Sequence, residues 1–315
     1  MKISSSLLLL WHTACSVGTV RSNITTLTVD LGYERYSGYF NATASLNIYK
    51  GIRYAAPPTG KLRWQKPHAP ALNRSHIISA TAYPPRCPQN SNSPLPEGYN
   101  FTKSGLGNED CLFLSTFARP NAKNLPVMVW IHGGGYGTGQ GNNEFWELLG
   151  TNSNDFILVL IQYRLGAFGF LSSGDMVSHG GTPNVGLYDI HFSLQWVQDH
   201  IKEFGGDKRR VTVSGESSGA GAVMLLTMAS GGGDGNSLFN NAIVASPFLP
   251  MQWDLDGSEP TQAYHRLATE VGCAAERGRR LLNQSTFECL VSVDSFTLQN
   301  ASAHVSGETF GPVGS

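Results

Sequence analysis

Residues 215 to 219 read Gly215, Glu216, Ser217, Ser218, Gly219, directly after the β-branched run Val211, Thr212, Val213 and ahead of an apolar stretch that reaches Met228. A serine with glycines two residues to either side suits a sharp strand-to-helix turn, where larger side chains would strike the neighbouring strand and helix. Its Oγ then projects clear of the sheet. The following helix brings unpaired backbone N–H groups and the positive end of its dipole beside that oxygen. The chemistry such a serine could do is nucleophilic attack on a carbonyl. On its own, the five-residue pattern is equally compatible with an ordinary tight turn.

A second group of residues supplies what that attack would need. Leu125 to Ile131 (LPVMVWI) reads as a buried strand and runs into His132, Gly133, Gly134, Gly135, Tyr136. Acyl transfer passes through a tetrahedral oxyanion that requires preorganised N–H donors, and losing one such donor costs roughly 3 to 4 kcal/mol of barrier. Consecutive glycines expose such donors. The expected set is Gly134, Gly135 and Ser218, with Ser217 as nucleophile. Read alone, the glycine run is a flexible loop closing a strand; beside the serine turn it becomes the other half of one site.

These two turns need a scaffold of strands and helices in alternation. Phe156 to Ile161 (FILVLI) is a continuous apolar run of strand length, suited to burial on both faces. Leu187, Ile190, Leu194, Val197, Ile201 and Phe204 recur at three and four residues and predict a helix that stops at Gly205 and Gly206. Val211 to Ser214 and Asn241 to Ser246 read as further strands, and Thr261 to Val271 as a helix. That order predicts an α/β protein with a mostly parallel central sheet flanked by helices. Tyr83 to Tyr99 reads as a surface loop and Gly231 to Gly235 as a flexible one.

With 315 residues and 41% hydrophobic content, the chain is long enough for one large core. Lys plus Arg number 22 against 23 Asp plus Glu, without a run of like charge, which argues against a nucleic-acid partner. Lys2, the short apolar core Leu7 to Trp11, and the small residues Ala14, Ser16 and Gly18 resemble a secretory signal peptide over residues 1–18, leaving 19–315 as the folded domain. Sequons at Asn23, Asn41, Asn73, Asn100, Asn283 and Asn300 fit a secreted glycoprotein. No later stretch is apolar enough to span a bilayer. If Cys15 belongs to the signal segment, Cys87, Cys111, Cys273 and Cys289 remain, an even number suited to an oxidising compartment. Proximity favours Cys87 with Cys111 and Cys273 with Cys289, among three possible connectivities. No cysteine spacing suggests a metal site.

Taken in order, several blocks resemble the type-B carboxylesterases, the family that includes cholinesterases and several lipases: YKGIRYAAPPTGKLRW from Tyr49, EDCLFLS from Glu109, VWIHGGGYGTG from Val129, YRLGAFGFL from Tyr163, NVGLYDIHFSLQWVQDHIKEFGGD from Asn184 and VTVSGESSGAG from Val211. The resemblance implies an α/β-hydrolase fold, a serine carboxylic ester hydrolase acting through an acyl-enzyme on small-molecule or lipid esters, and no cofactor. It further implies both disulfide pairings, an acidic neighbour of the nucleophile in Glu216, and buried ion pairs between Arg53 and Glu109 and between Arg164 and Asp189. Ser218 stands where the family has alanine, Ile190 where it has glutamine, and Lys208 where it has proline.

In this fold the triad follows the order serine, acid, histidine. The resemblance puts the acid and the histidine after an F-x-P-V block, and Phe310, Gly311, Pro312, Val313 match that block at the very end of the chain. The expectation is a C-terminally truncated member with weak or no activity of its own. Of the histidines present, His265 falls in a helix and His304 in a polar loop, neither matching the catalytic histidine. His132 reads as a loop-ordering residue, and His68, His76, His179, His191 and His200 as surface or helix positions. The alternative function is a non-catalytic cholinesterase-like interaction module, since the family includes adhesion proteins without the nucleophile; retention of Ser217 argues against it.

Overall fold

The computed structural model describes residues 27–90, 107–274, 284–305 and 310–314. The signal segment and the sequons at Asn23, Asn100 and Asn283 lie outside the described residues. Strands β1 (Leu27–Asp30), β2 (Arg35–Asn41), β3 (Leu46–Arg53), β4 (Ile77–Ser79), β5 (Phe113–Ala118), β6 (Leu125–Ile131), β7 (Ile157–Ile161), β8 (Gly206–Glu216) and β9 (Asn241–Ala245) form one sheet in the order β1-β2-β3-β5-β7-β6-β8-β9, with β4 beside β2. The helices are α1 (Trp146–Thr151), α2 (Gly166–Phe170), α3 (Gly174–Ser178), α4 (Val185–His200), α5 (Ser218–Met228), α6 (Gly233–Leu238), α7 (Ser258–Glu270), α8 (Thr286–Ser292) and α9 (Ser295–His304).

Strand β7 is ILVLI, buried at every residue, as a strand covered on both faces must be. Beside it, β6 alternates buried and half-buried positions, its Val127, Val129 and Ile131 entering the main core. β6 pairs in parallel with both β7 and β8, and β8 in parallel with β9. The pairs from β1 through β5 to β7 are antiparallel. The sheet is therefore mixed, and the parallel half is the one that carries Ser217. Along α4 the expected apolar stripe buries Ile190, Leu194 and Val197, and a 3-10 turn continues it through Ile201 and Phe204. Gly205 ends the run with φ of 87°, a left-handed conformation that glycine adopts without strain.

Three expectations are corrected. Gly231–Gly235 lies in a 3-10 turn, Ala229–Gly232, and the first turns of α6, not a flexible loop. Leu238 is buried at the end of that helix, and its carbonyl accepts from Gln198 Nε2 at 2.8 Å, so one apolar anchor organises the glycines before it. His304 ends helix α9, which Asp294 caps by accepting from the Thr297 N–H at 3.0 Å, so it does not sit in a loop. Glu109 pairs with Arg63, not Arg53: Arg63 donates Nε to Oε2 at 2.8 Å and Nη2 to Oε1 at 2.6 Å. Arg53 instead grips the adjacent Asp110, at 2.6 and 2.9 Å, on the half-exposed side.

The Arg63 pair is the more consequential one because both side chains are almost fully buried. Arg63 Nη1 also donates to the carbonyls of Leu290, Val291 and Val293 at 3.0, 3.1 and 2.8 Å, binding the C-terminal end of α8. The pair between Arg164 and Asp189 forms as expected, two side-chain bonds of 2.7 Å each reinforced by the Arg164 backbone N–H at 3.0 Å. Burial pushes the Asp189 carboxyl up, and Arg164 pulls against it.

Both disulfides pair as expected, Cys87 with Cys111 and Cys273 with Cys289. Removing one partner of a buried ion pair strands the other charge, so Arg63→Ala is expected to cost roughly 3 to 5 kcal/mol in urea unfolding. Arg209→Ala, at an exposed pair with Asp207, is the control and should leave the midpoint in place. Equal midpoints for the two variants would contradict this placement of Arg63.

Candidate active site

The parallel register of β6 and β8 sets Ile131 opposite Gly215, so both strands reach their C-terminal ends side by side. From those ends the chain enters the two turns singled out in the sequence. Ser217 caps α5 with φ 56° and ψ −124°, a conformation that costs energy in a residue with a side chain. Its backbone is fixed on both sides: its N–H donates to the Ala245 carbonyl at 3.1 Å, and its carbonyl accepts from Gly221 at 3.0 Å and Phe248 at 2.9 Å.

The flanking glycines are required for space. A Cβ on Gly215 would stand 2.5 Å from the Gly219 carbonyl carbon, and one on Gly219 would collide with the Ile131 carbonyl oxygen. Gly221, one turn further, leaves no room between the Phe248 carbonyl and the Tyr136 hydroxyl. At Gly133 a Cβ would stand 3.0 Å from the Ser217 Cβ, 2.7 Å from the Glu216 carbonyl oxygen and 3.3 Å from Glu216 Oε2. The triple-glycine loop is thus in contact with the serine side chain.

Within that loop Gly134 has φ 117° and Gly135 φ 62°. The Gly134 carbonyl accepts from the N–H groups of Gly137 and Thr138 at 3.1 and 3.0 Å and from Thr138 Oγ1 at 3.1 Å, closing the loop on itself. Among the described residues the N–H groups of Gly134 and Gly135 have no acceptor. Ser218 is the first residue of α5, where backbone N–H groups lack an intrahelical partner. The site accordingly offers unused donors beside a strained serine.

His132 anchors the loop and is no base. Its ring is buried, donates from Nδ1 to the Gly133 carbonyl at 2.9 Å, and stacks on Tyr163 with centroids 4.5 Å apart. Burial depresses its pKa to about 4, against the pull of the Gly133 carbonyl. Tyr163 donates to the His132 carbonyl at 2.8 Å, fixing the last strand-like residue before the glycines. The Ser218 hydroxyl is buried next to the Tyr163 hydroxyl. Glu216 is exposed. His265 is exposed on α7 and packs on Tyr264, while His304 Nδ1 binds the Asn300 carbonyl at 2.7 Å.

Of the turn residues found by pattern, Glu216 and Ser217 lie against the glycine loop at Gly133, with Ser218 opening α5 and Gly134 and Gly135 following Gly133 along the loop. Missed were Tyr136, whose buried ring has φ 62° and whose hydroxyl donates to the Phe248 carbonyl at 3.2 Å, and Tyr163, Gly139 and Gly221 as packing partners. Their only sequence signal was membership of the matching blocks.

A strand, a tight serine turn and a helix on a parallel half-sheet, opposed by a glycine loop from the adjacent strand, define an α/β-hydrolase. The chain belongs to the carboxylesterase family, whose profile matches residues 32–313. It is 34% identical to carboxylesterase 5A of Felis catus, an alignment covering 93% of this chain and 53% of that protein. It is also 34% identical to neuroligin-3 of Mus musculus, over 84% of this chain and 35% of that one. Among solved structures, Aspergillus niger EstA superposes with a TM-score of 0.74 at 33% identity, over 88% of this chain and 50% of that one. The chain spans about half the length of carboxylesterase 5A and of EstA.

The depressed pKa of His132 has a stability consequence. The unfolded chain takes up a proton on this imidazole near pH 6.5, the fold only near pH 4, so stabilisation is complete above 6.5 and is lost as pH falls toward 4. Urea titrations between those limits should show a loss of up to about 1.4 kcal/mol per pH unit from this site. His132→Gln, which does not protonate, should flatten the slope; an unchanged slope would contradict the neutral buried imidazole.

Proposed function

We propose that this chain carries the nucleophile and oxyanion hole of a serine carboxylic ester hydrolase. The observation that carries the reading is the contact of Gly133 with the strained Ser217, on a loop whose next two amides, Gly134 and Gly135, have no acceptor among the described residues. Ser217 Oγ adds to the ester carbonyl, and the amides of Gly134, Gly135 and Ser218 hold the oxyanion. As the ester C–O bond breaks, the proton lost from the Ser217 hydroxyl passes to the leaving oxygen, which departs as the alcohol and leaves an acyl-Ser217 ester. Water then adds to that ester and releases the acid. Glu216, beside Gly133, would orient water or the base.

His132 bonds the Gly133 carbonyl and His304 the Asn300 carbonyl, and a serine without a base is a poor nucleophile. Loss of a triad member leaves roughly 10³- to 10⁴-fold acceleration over water, from the oxyanion hole and binding. Substrates are carboxylic esters of small molecules or lipids. A second reading, an interaction module without catalysis, draws on the similarity to neuroligin-3. The retained Ser217 and glycine loop favour the hydrolase.

A fluorophosphonate separates the two. It should form an adduct on Ser217 in folded chain, slowly, and the adduct should vanish in Ser217→Ala. Mass spectrometry that finds no adduct after prolonged exposure would count for the interaction module.

Residues 1–18 as a signal segment, with the disulfides Cys87–Cys111 and Cys273–Cys289, support secretion into an oxidising compartment. No helix of the described residues is long and apolar enough to cross a membrane. Asn41 ends β2 at the edge of the turn to β3, and Asn73 lies in a mostly exposed stretch ahead of β4, both suited to a glycan. Asn300 is a weaker acceptor, because it sits within α9 and its sequon Ser302 is buried. Chain secreted from a eukaryotic host should lose mass on peptide-N-glycosidase treatment, with conversion mapped to Asn41 and Asn73. Unmodified Asn at both positions in secreted material would contradict the assignment.

A further inference from the structure

Outside the two turns, one side chain reaches into the glycine loop from a separate part of the chain. Gln89 follows the disulfide-bonded Cys87 and presents its carboxamide to Gly139 as a neighbouring strand would: Oε1 accepts from the Gly139 N–H at 2.7 Å, and Nε2 donates to the Gly139 carbonyl at 3.0 Å. Nε2 also donates to the Cys87 carbonyl at 2.8 Å. Next to it, the Asn90 N–H donates to the Gly137 carbonyl at 2.7 Å.

We propose that Gln89 is a positioning residue of the oxyanion loop, fixing the Gly134 and Gly135 amides by clamping Gly139. The coupling is short and steric. Gly139 has φ 116°, and the space its Cβ would need is filled by His132 Nδ1 and the Gly133 carbonyl oxygen, 2.5 Å away. The Cβ position of Gly134 is likewise filled by the Thr138 carbonyl. Gly139 therefore backs directly onto the segment that carries the donors. The clamp is itself held: Cys87 is bonded to Cys111, and Gln162, one residue past β7, donates Nε2 to the carbonyls of Pro85 at 2.8 Å and Cys111 at 3.2 Å. A loop so rich in glycine has little stiffness of its own, since each glycine is free to rotate through both signs of φ. Stiffness imposed from outside is what an oxyanion hole needs, because donors that must reorient during the reaction give up most of their advantage.

The proposal rests on the hydrolase reading for its catalytic meaning, whereas the clamp is a property of the folded chain. Two variants and two readouts test it. In Gln89→Ala, with the melting temperature unchanged, amide exchange across residues 133–139 should rise at least about tenfold, and phosphonylation of Ser217 should slow by about tenfold, less than outright loss of a donor. Gln89→Glu keeps the acceptor for the Gly139 N–H but faces two carbonyl oxygens with a carboxylate. Its phosphonylation rate relative to wild type should recover as pH falls from about 8 to about 5, when the introduced carboxyl takes up a proton and donates again. The same ratio for Gln89→Ala should stay flat. A role confined to stability would move neither ratio with pH. Wild-type exchange and phosphonylation in Gln89→Ala, or a pH-independent ratio in Gln89→Glu, would overturn the proposal. Should wild-type Ser217 not react at all, the hydrolase reading fails, and the exchange data alone decide whether Gln89 clamps the loop.

Discussion

Where β6 and β8 end, two turns approach so closely that no side chain fits between them. The positions that a Cβ would occupy on Gly133, Gly215 and Gly219 fall on or against the Glu216 carbonyl, the Gly219 backbone and the Ile131 carbonyl. Everything else in the site follows from that approach. It presses the glycine loop on the strained Ser217, and it requires glycine at 133, 215 and 219 for reasons of volume. The cost is met by the parallel register of β6 with β8, by hydrogen bonds from Phe248 and Gly221 to the Ser217 carbonyl, and by the Ser217 N–H on β9.

Behind the turns, the protein keeps charge out of the loop's support and concentrates it elsewhere. His132 is held neutral by burial and stacks on Tyr163, so the polypeptide preceding the glycines carries a fixed hydrogen-bond donor without a titrating charge near pH 7. Two buried ion pairs, Arg164 with Asp189 and Arg63 with Glu109, are bidentate and tie distant segments together. Arg164 also reaches the Gln65 carbonyl, and Arg63 the end of α8. A break in either leaves a bare charge in a dry interior, which is why they specify the arrangement more than they strengthen it.

The site was more legible in the sequence than the fold around it. Glycine spacing is a volume constraint written in the simplest residue, so the tight Ser217 turn and the glycine loop packed against it could be read without coordinates. β6 and β7 were legible because continuous apolar runs have few alternatives. The antiparallel strands β1 to β3, and β4 that runs parallel to β2, were not recognised, since their half-buried residues alternate weakly and their pairing is long-range. Arg53 was assigned to Glu109 although adjacent acids on one extended stretch point to opposite sides: Glu109 turns inward to Arg63 and Asp110 outward to Arg53. Gly231–Gly235 was read as loose because glycine content says nothing of Leu238, the anchor that orders it. Gln89 had no signal at all, because a carboxamide that bonds only to backbone looks like any polar loop residue.

The central claim is geometric: the Ser217 hydroxyl faces a cradle formed by the amides of Gly134, Gly135 and Ser218. A crystal structure of the chain phosphonylated on Ser217 tests it most directly, because the phosphonyl oxygen stands where the oxyanion of a tetrahedral intermediate would. The account predicts that oxygen about 2.7 to 3.1 Å from those three nitrogens. A phosphonyl oxygen turned to solvent, with the three amides unengaged, would contradict it.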